Sequence, residues 1–196
     1  MSGAAAAFLD RDGVINELVE DPDSGQPESP LRVQDVALVP GAAAGLRRLA
    51  AAGLLLVGVS NQPAAAKGKV PLAQLRAVQQ RVLELAAGEG VSFDGFRLCW
   101  HHPQGTVPEL TGRCDCRKPA PGMLLDAARE LGIDLGRSWM IGDTDADVLA
   151  GQSAGCHTVL VAHRPSVHKR QGGVRPDGVA PTLQAAVDWL LPEPID

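Results

Sequence analysis

Two aspartates flank one arginine at Asp10-Arg11-Asp12, where the apolar run Ala4 to Leu9 ends. If that run is a strand, its side chains alternate between faces and the two carboxylates leave on the same side. Like charges so close are costly to ionise together. A hard divalent cation with oxygen ligands relieves that cost and leaves one carboxylate to act as a nucleophile. An Asp-x-Asp alone also suits a turn with a helix cap, so the other strand ends decide. Three further polar groups follow apolar runs: Ser60-Asn61-Gln62, Arg117-Lys118-Pro119, and Gly142-Asp143 with Asp147. Together they gather carboxylates, a hydroxyl, an amide and two cations at the strand ends.

A second constellation is Cys99-Trp100-His101-His102 followed by Cys114-Asp115-Cys116. Three thiols and one imidazole suit tetrahedral Zn²⁺, and a site with all four positions filled is structural. Such an ion would tether a loop with too little apolar content to order itself. Spacing leaves His101 and His102 equally eligible. The fourth cysteine, Cys156, precedes an apolar run with His157, and both read as packing residues.

Strands and helices must present these groups, and the pattern supplies them in alternation. The predicted strands are Ala4–Leu9, Leu54–Val59, Phe96–Trp100, Trp139–Ile141 and Thr158–Val161. The second is apolar throughout, as in a strand buried on both faces of a parallel sheet. Between them lie helical patterns: an alanine-rich segment after Pro40-Gly41, the run Leu72, Leu75, Val78, Val82 and Leu85 at three- and four-residue spacing, Met123–Leu131, Asp145–Ala154 and Leu183–Leu191. Strand–helix alternation gives an α/β fold with a central parallel sheet. In such sheets ligands bind at the C-terminal strand ends, where all four polar groups fall. The Pro/Gly-rich stretch Glu20–Pro30 and the segment His163–Asp177 read as loops, with His168, Lys169 and Arg170 solvated; Trp139 and Trp189 read as core.

In this order the four groups resemble the signature of the haloacid dehalogenase (HAD) phosphohydrolase superfamily. Asp10–Asn16 looks like its first motif, Val59–Gln62 its second, Arg117–Pro119 its third and Ile141–Asp147 its fourth. The resemblance covers about Ala6 to Val161. It implies a three-layer Rossmann-like fold with strand order 5-4-1-2-3, counting the predicted strands along the chain, in one domain over 1–196. It implies a catalytic pair: Asp10 as nucleophile forming an aspartyl-phosphate, Asp12 as acid/base. Mg²⁺ would sit among the Asp10 carboxylate, the Asp12 carbonyl and Asp143. Ser60 and Asn61 would donate to phosphoryl oxygens, Lys118 would offset their charge, and Asp147 would orient Lys118 or the metal's waters.

The Cys/His loop is similar to that of the zinc-containing, histidinol-phosphatase-like branch. Its members hydrolyse D-glycero-D-manno-heptose 1,7-bisphosphate at the 7-phosphate, or histidinol phosphate. That resemblance selects Cys99, His101, Cys114 and Cys116 as zinc ligands and implies no large cap domain. The loops Asn16–Leu38, Pro63–Val70 and His101–Lys118 would wall the site, and Arg117 would bind the distal phosphate, assisted by Lys67 and Lys69. The chain departs from this pattern at Leu18-Val19-Glu20-Asp21, at Pro63-Ala64 and at Thr144. The expected activity is Mg²⁺-dependent hydrolysis of a small phosphomonoester, with the heptose bisphosphate first and histidinol phosphate as the alternative. A catalytically silent binding module is the non-enzymatic reading, and it leaves the second carboxylate, Asp12, without a purpose.

Composition narrows the partners. The 196 residues are 45% hydrophobic and 21% charged, with a formal net charge of −5. There is no long basic run, which argues against nucleic acid as the principal partner. No apolar stretch approaches the roughly 20 residues of a membrane span. The expected state is a cytoplasmic monomer, with its cysteines kept reduced for metal rather than paired.

Overall fold

The computed structural model describes residues 3–22 and 24–191, so Asp23, within the predicted Glu20–Pro30 loop, lies outside the described residues. A six-stranded parallel sheet forms the centre, built from β1 (Ala6–Leu9), β4 (Leu55–Asn61), β5 (Gly95–Cys99), β6 (Trp139–Gly142), β7 (His157–Val161) and β8 (Gly178–Ala180). The strand order is β5-β4-β1-β6-β7-β8. Read from the other edge, its first five predicted members give the expected 5-4-1-2-3 order. The sixth, β8, adds beyond β7 from within the region after Val161 that carries no strand pattern. Three residues are too few to show alternation, and only pairing with β7 defines it.

Alternation along β1 divides the core. Ala7 and Leu9 face one side with Leu56 and Ile141, against α1 (Ala42–Ala51), α2 (Leu72–Gly88) and α5 (Leu183–Leu190). Ala6 and Phe8 face the other with Val57, Val59 and Met140, against α3 (Gly122–Leu131) and α4 (Asp145–Ala154). Every β1 residue is fully buried, which accounts for an unbroken apolar run rather than an alternating one. The two-stranded hairpin β2 (Val19–Glu20) and β3 (Pro27–Glu28) forms within the stretch expected to be loop. It starts at the departure Leu18–Asp21.

Trp189 does not join the core: half its surface is exposed. It meets half-buried Trp139 edge to face at 5.4 Å. The indole also packs over Gly178 of the edge strand β8, where no further strand among the described residues follows to cover it. Cys156 is buried beneath α3 and α4 as a packing residue. No helix among the described residues is long and apolar enough to cross a membrane.

Candidate active site and metal centres

Register brings the strand-end residues together. Leu9 pairs with Gly58 on one side and Ile141 on the other, so the chain after β1 emerges between Ser60 and Asp143. Asp10, Asp12, Ser60, Asn61, Arg117, Lys118, Asp143 and Asp147 all line one cavity of about 310 Å³. Its remaining wall is Glu28, Ser29, Pro63, Lys67, Thr144 and Lys169. Residues from the departures Pro63 and Thr144 thus stand in this cavity.

Lys118 is the electrostatic centre of the floor. Its Nζ lies 2.8 Å from Asp10 Oδ1, 2.6 Å from Asp147 Oδ1, and donates to Val59 O at 2.7 Å. Burial alone would depress its pKa, but the Asp10 and Asp147 charges outweigh it and raise the value above that of an ordinary lysine. Asp147 in turn accepts from Thr144 N at 3.0 Å and Oγ1 at 2.6 Å, closing a capping box at the start of α4. Asp147 Oδ2 is therefore committed to the cap, while Oδ1 holds Lys118 as an ion pair without a hydrogen bond and also faces the cluster with Asp10 and Asp143. Gly142 lies so close to Asp147 that a Cβ there would collide with it.

The two aspartates of the doublet have opposite environments. Burial, reinforced by Asp147 and Asp12, pushes the Asp10 carboxyl up to about 6 against the pull of Lys118. Burial also opposes ionisation of Asp12. There, however, the Arg11 charge and hydrogen bonds from Asn16, Ser29 and Arg11 prevail and lower its pKa. Arg11 is fully buried and meets Asp12 Oδ1 through Nη2 at 2.9 Å. Asn16 donates to Oδ1 at 2.9 Å, and Ser29 and Gln62 donate to Oδ2.

Asn61 has a task beyond the expected one. Its amide donates to Lys118 O at 2.9 Å and accepts from Lys118 N at 3.0 Å. Both ends meet the Lys118 main chain, so the side chain positions that lysine, and its second amide hydrogen stays available to a phosphoryl oxygen. Ser60 also keeps a donor: its Oγ accepts from Gln62 Nε2 at 3.0 Å, which leaves its own O–H for a ligand.

The buried groups fit a divalent cation. Asp10, Asp12, Asp143 and Asp147 are four carboxylates facing two buried cations, Arg11 and Lys118. Ionised, they carry two uncompensated negative charges, which one divalent ion offsets. Asp143 Oδ1 is buried without a hydrogen-bond partner, the condition that an ion removes. Burial and the charges of Asp10 and Asp147 raise the Asp143 pKa well above the usual carboxylate range. Asp10 and Asp143 each offer an oxygen in one buried cluster whose ligand atoms all lie within 4.8 Å of one another.

The Cys/His group fits zinc. Sγ to Sγ distances are 3.1 Å (Cys99–Cys116), 3.3 Å (Cys114–Cys116) and 3.6 Å (Cys99–Cys114). His101 Nδ1 lies 3.5 Å from Cys116 and 3.9 Å from Cys99. A tetrahedron with Zn–S bonds of ~2.3 Å has edges of about 3.8 Å, close to this range. The geometry also separates the two histidines: His102 Nδ1 faces the Gln104 amide at 3.1 Å and stays outside the cluster. Arg117, next to Cys116, donates to His101 O at 3.3 Å and lines the catalytic cavity.

Sequence reading missed several members. Arg11, inside the first motif, gave no sign of being fully buried. Ser29 sits in the segment read as plain loop yet reaches Asp12. Lys169 was expected to be solvated, but it lines the cavity and pairs with Glu28 at 2.7 Å. Arg170, also expected in solvent, donates to Asp143 O and His163 O, each at 3.1 Å. Lys69 is paired with Asp21 at 2.7 Å. Loop residues of this kind have no periodicity to betray their burial, so only tertiary contacts reveal them.

A HAD-hydrolase-like family model, Hydrolase_like, matches residues 115–186. The D-glycero-β-D-manno-heptose-1,7-bisphosphate 7-phosphatase of Escherichia coli K12 is 37% identical over 186 residues, 95% of this chain and 87% of that protein. The enzyme of the same name from Rhodopseudomonas palustris is 39% identical over 150 residues, covering 76% of this chain and 79% of its own. Among solved structures, the D,D-heptose 1,7-bisphosphate phosphatase of B. bronchiseptica, complexed with magnesium and phosphate, superposes with a TM-score of 0.78. It shares 31% identity over 95% of this chain and 98% of that one. Fold, cavity and sequence agree, and the chain belongs to the family of HAD-like hydrolases that contains the heptose-1,7-bisphosphate 7-phosphatases.

Proposed function

We propose that this protein is a Mg²⁺-dependent sugar phosphatase that removes the 7-phosphate of D-glycero-D-manno-heptose 1,7-bisphosphate, acting in the cytoplasm as one catalytic domain. The observation that carries the chemistry is a buried Asp10 carboxylate, fixed by Lys118 on the cavity floor beside the unpartnered oxygen of Asp143. The substrate assignment rests on the 37% identity to an enzyme named for that reaction.

Asp10 Oδ1 is held by Lys118, which keeps part of its negative charge in place despite burial and leaves the other oxygen for attack on phosphorus. Attack forms an aspartyl-phosphate and expels the sugar alkoxide. Asp12 supplies the proton to that leaving oxygen and then accepts one from the hydrolytic water. In the free enzyme Arg11 holds Asp12 ionised. An arriving phosphoryl dianion opposes that charge and favours the protonated form. The Ser60 hydroxyl donates to a phosphoryl oxygen, and Lys118 offsets charge on the transferring group. Mg²⁺, held by Asp10, the Asp12 carbonyl and Asp143, would shield the dianion from the attacking carboxylate. Lys67, Arg117 and Lys169 supply positive charge to the wall, suited to a second phosphate. Cys99, His101, Cys114 and Cys116 would hold a structural zinc that fixes the loop carrying Arg117 and Lys118.

Phosphate release should be measured with both anomers of the heptose bisphosphate, histidinol phosphate and other sugar monophosphates, with and without Mg²⁺. The expected result is Mg²⁺-dependent release with the bisphosphate strongly preferred and abolished by Asp10→Asn. Release equal in wild type and Asp10→Asn would overturn the mechanism. Preference for histidinol phosphate would overturn the substrate.

A further inference from the structure

The segment from His163 to Arg170 enters the cavity's metal side by way of one fully buried serine. Ser166 has no exposed surface, and its hydroxyl is bonded to Asp143 Oδ2. His163 Nδ1 lies 3.2 Å from the same Ser166 Oγ. A hydroxyl has one hydrogen to give, and Asp143 in the ionised form that binds a cation has none. Ser166 therefore donates to Asp143 and His163 donates to Ser166. His163 Nε2 faces Glu17 Oε2 at 3.6 Å, an ion pair only when the ring is protonated.

Three other contacts fix the same unit. Arg170 ties the main chain of Asp143 to that of His163. Gly13, at φ +86°, packs so tightly on the Asp143 carboxylate that a Cβ would collide with Oδ2 and come within 3.0 Å of Ser166 Oγ. The result is a carboxylate whose Oδ2 is clamped, while Oδ1 remains buried and unpartnered. A single conformation is imposed, with one oxygen aimed where a cation is needed.

We propose that the turn from His163 to Arg170 is a positioning element of the divalent-cation site: Ser166, itself set by His163, orients Asp143 for metal binding. Ser166 and His163 touch neither substrate nor ion; they act through Asp143. Outer hydrogen bonds of this type raise metal affinity because the ligand's orientation is fixed before the ion arrives, and their loss typically costs about 10–100-fold in affinity. The inference rests on the Mg²⁺ reading of Asp10 and Asp143 given above.

The test uses the full-length, zinc-loaded protein freed of Mg²⁺, with Mn²⁺ as the probe and its binding read by electron paramagnetic resonance. Asp143→Asn should abolish binding; wild-type affinity in that variant would defeat the cation site itself. Ser166→Ala should raise the Mn²⁺ Kd about 10-fold or more, while kcat at saturating Mg²⁺ and zinc content stay near wild type. A folded Ser166→Ala protein with Kd within twofold of wild type, beside an inactive Asp143→Asn, would overturn the positioning role alone. His163→Ala should weaken Mn²⁺ several-fold, and His163→Asn, which keeps a donor near the Nδ1 position, should restore it. If Ser166→Ala fails to fold, this pair decides: two histidine variants equal to wild type overturn the proposal, and loss with rescue supports it.

Discussion

Replacing Lys118 by methionine should disable the site and destabilise the fold together. The ammonium is almost wholly buried between two carboxylates at 2.8 and 2.6 Å. At an effective dielectric near 20, each such pair is worth about 6 kcal/mol before desolvation is subtracted. Desolvation of all three groups, and repulsion between Asp10 and Asp147, consume much of that sum. Removing one partner of a buried ionic cluster leaves uncompensated charge and costs about 3–5 kcal/mol. Methionine preserves the stem's packing but also strands the Val59 carbonyl, which accepts from Nζ at 2.7 Å. For a chain of this size, such a loss corresponds to a fall in melting temperature of about 10 °C. Without the lysine, the Asp10 pKa rises further above its value of about 6, so less of the nucleophile is ionised at pH 7. The expected outcome is a large Tm drop in EDTA, partial recovery in Mg²⁺, and at least a 10²-fold loss of kcat. A Lys118→Met protein melting within 2 °C of wild type, with activity within tenfold, would show that the carboxylates do not depend on this cation.

The pH dependence of stability in EDTA should follow Asp10. Its folded-state pKa of about 6 lies above the ordinary 3.8, so between those values the native state binds more protons and stability falls as pH rises. Asp10 alone accounts for about 3 kcal/mol of loss once pH exceeds 6, and the Asp143 carboxyl, also raised well above the usual range, adds to the decline in the same sense. Asp12, with its lowered pKa, works in the opposite sense below about pH 4, so urea titrations should show a maximum between the two regimes. Added Mg²⁺ should reverse the decline above pH 5, and a flat profile in EDTA would contradict the buried, Lys118-held carboxyl. Asp12→Asn should cut turnover about 10²–10⁴-fold and leave an acid-stable, hydroxylamine-sensitive phospho-protein detectable with labelled substrate. Cys116→Ser should release the zinc, measured by elemental analysis, and open residues 100–118 to protease while the sheet core remains protected. Asn61→Ala should lower kcat by freeing the Lys118 main chain, with little change in KM if the amide does not contact the substrate.

Much of this site was legible in the chain because its key residues adjoin strands. Strands announce themselves by apolar runs, and polar residues that interrupt such a run at its C-terminal end have one common place to go. The order Asp10, Ser60, Asp143 was therefore readable without coordinates, as was the Cys/His set, whose chemistry is unusual in type and spacing; Lys118 lies in the long loop between β5 and α3 and was legible only through its motif. Sequence could also fix that two carboxylates share one face of the strand end. It could not say which was held ionised. That depended on Arg11, which lies between them in sequence yet folds back onto Asp12 alone, and on Lys118, which arrives from 108 positions away to pair with Asp10.

Tertiary structure decided everything contributed by irregular segments. It chose His101 over His102, gave Asn61 the further task of clamping the Lys118 main chain, and brought Ser29, Ser166 and Lys169 into contact with the site. It also added β8 and placed Trp189 at the surface. The physical reason is the same in each case. A helix or a long strand signals burial through its period, whereas a loop residue is buried only by whichever distant segment packs on it. The sequence by itself determined the kind of chemistry; the packing of its loops determined how each group is charged, aimed and held.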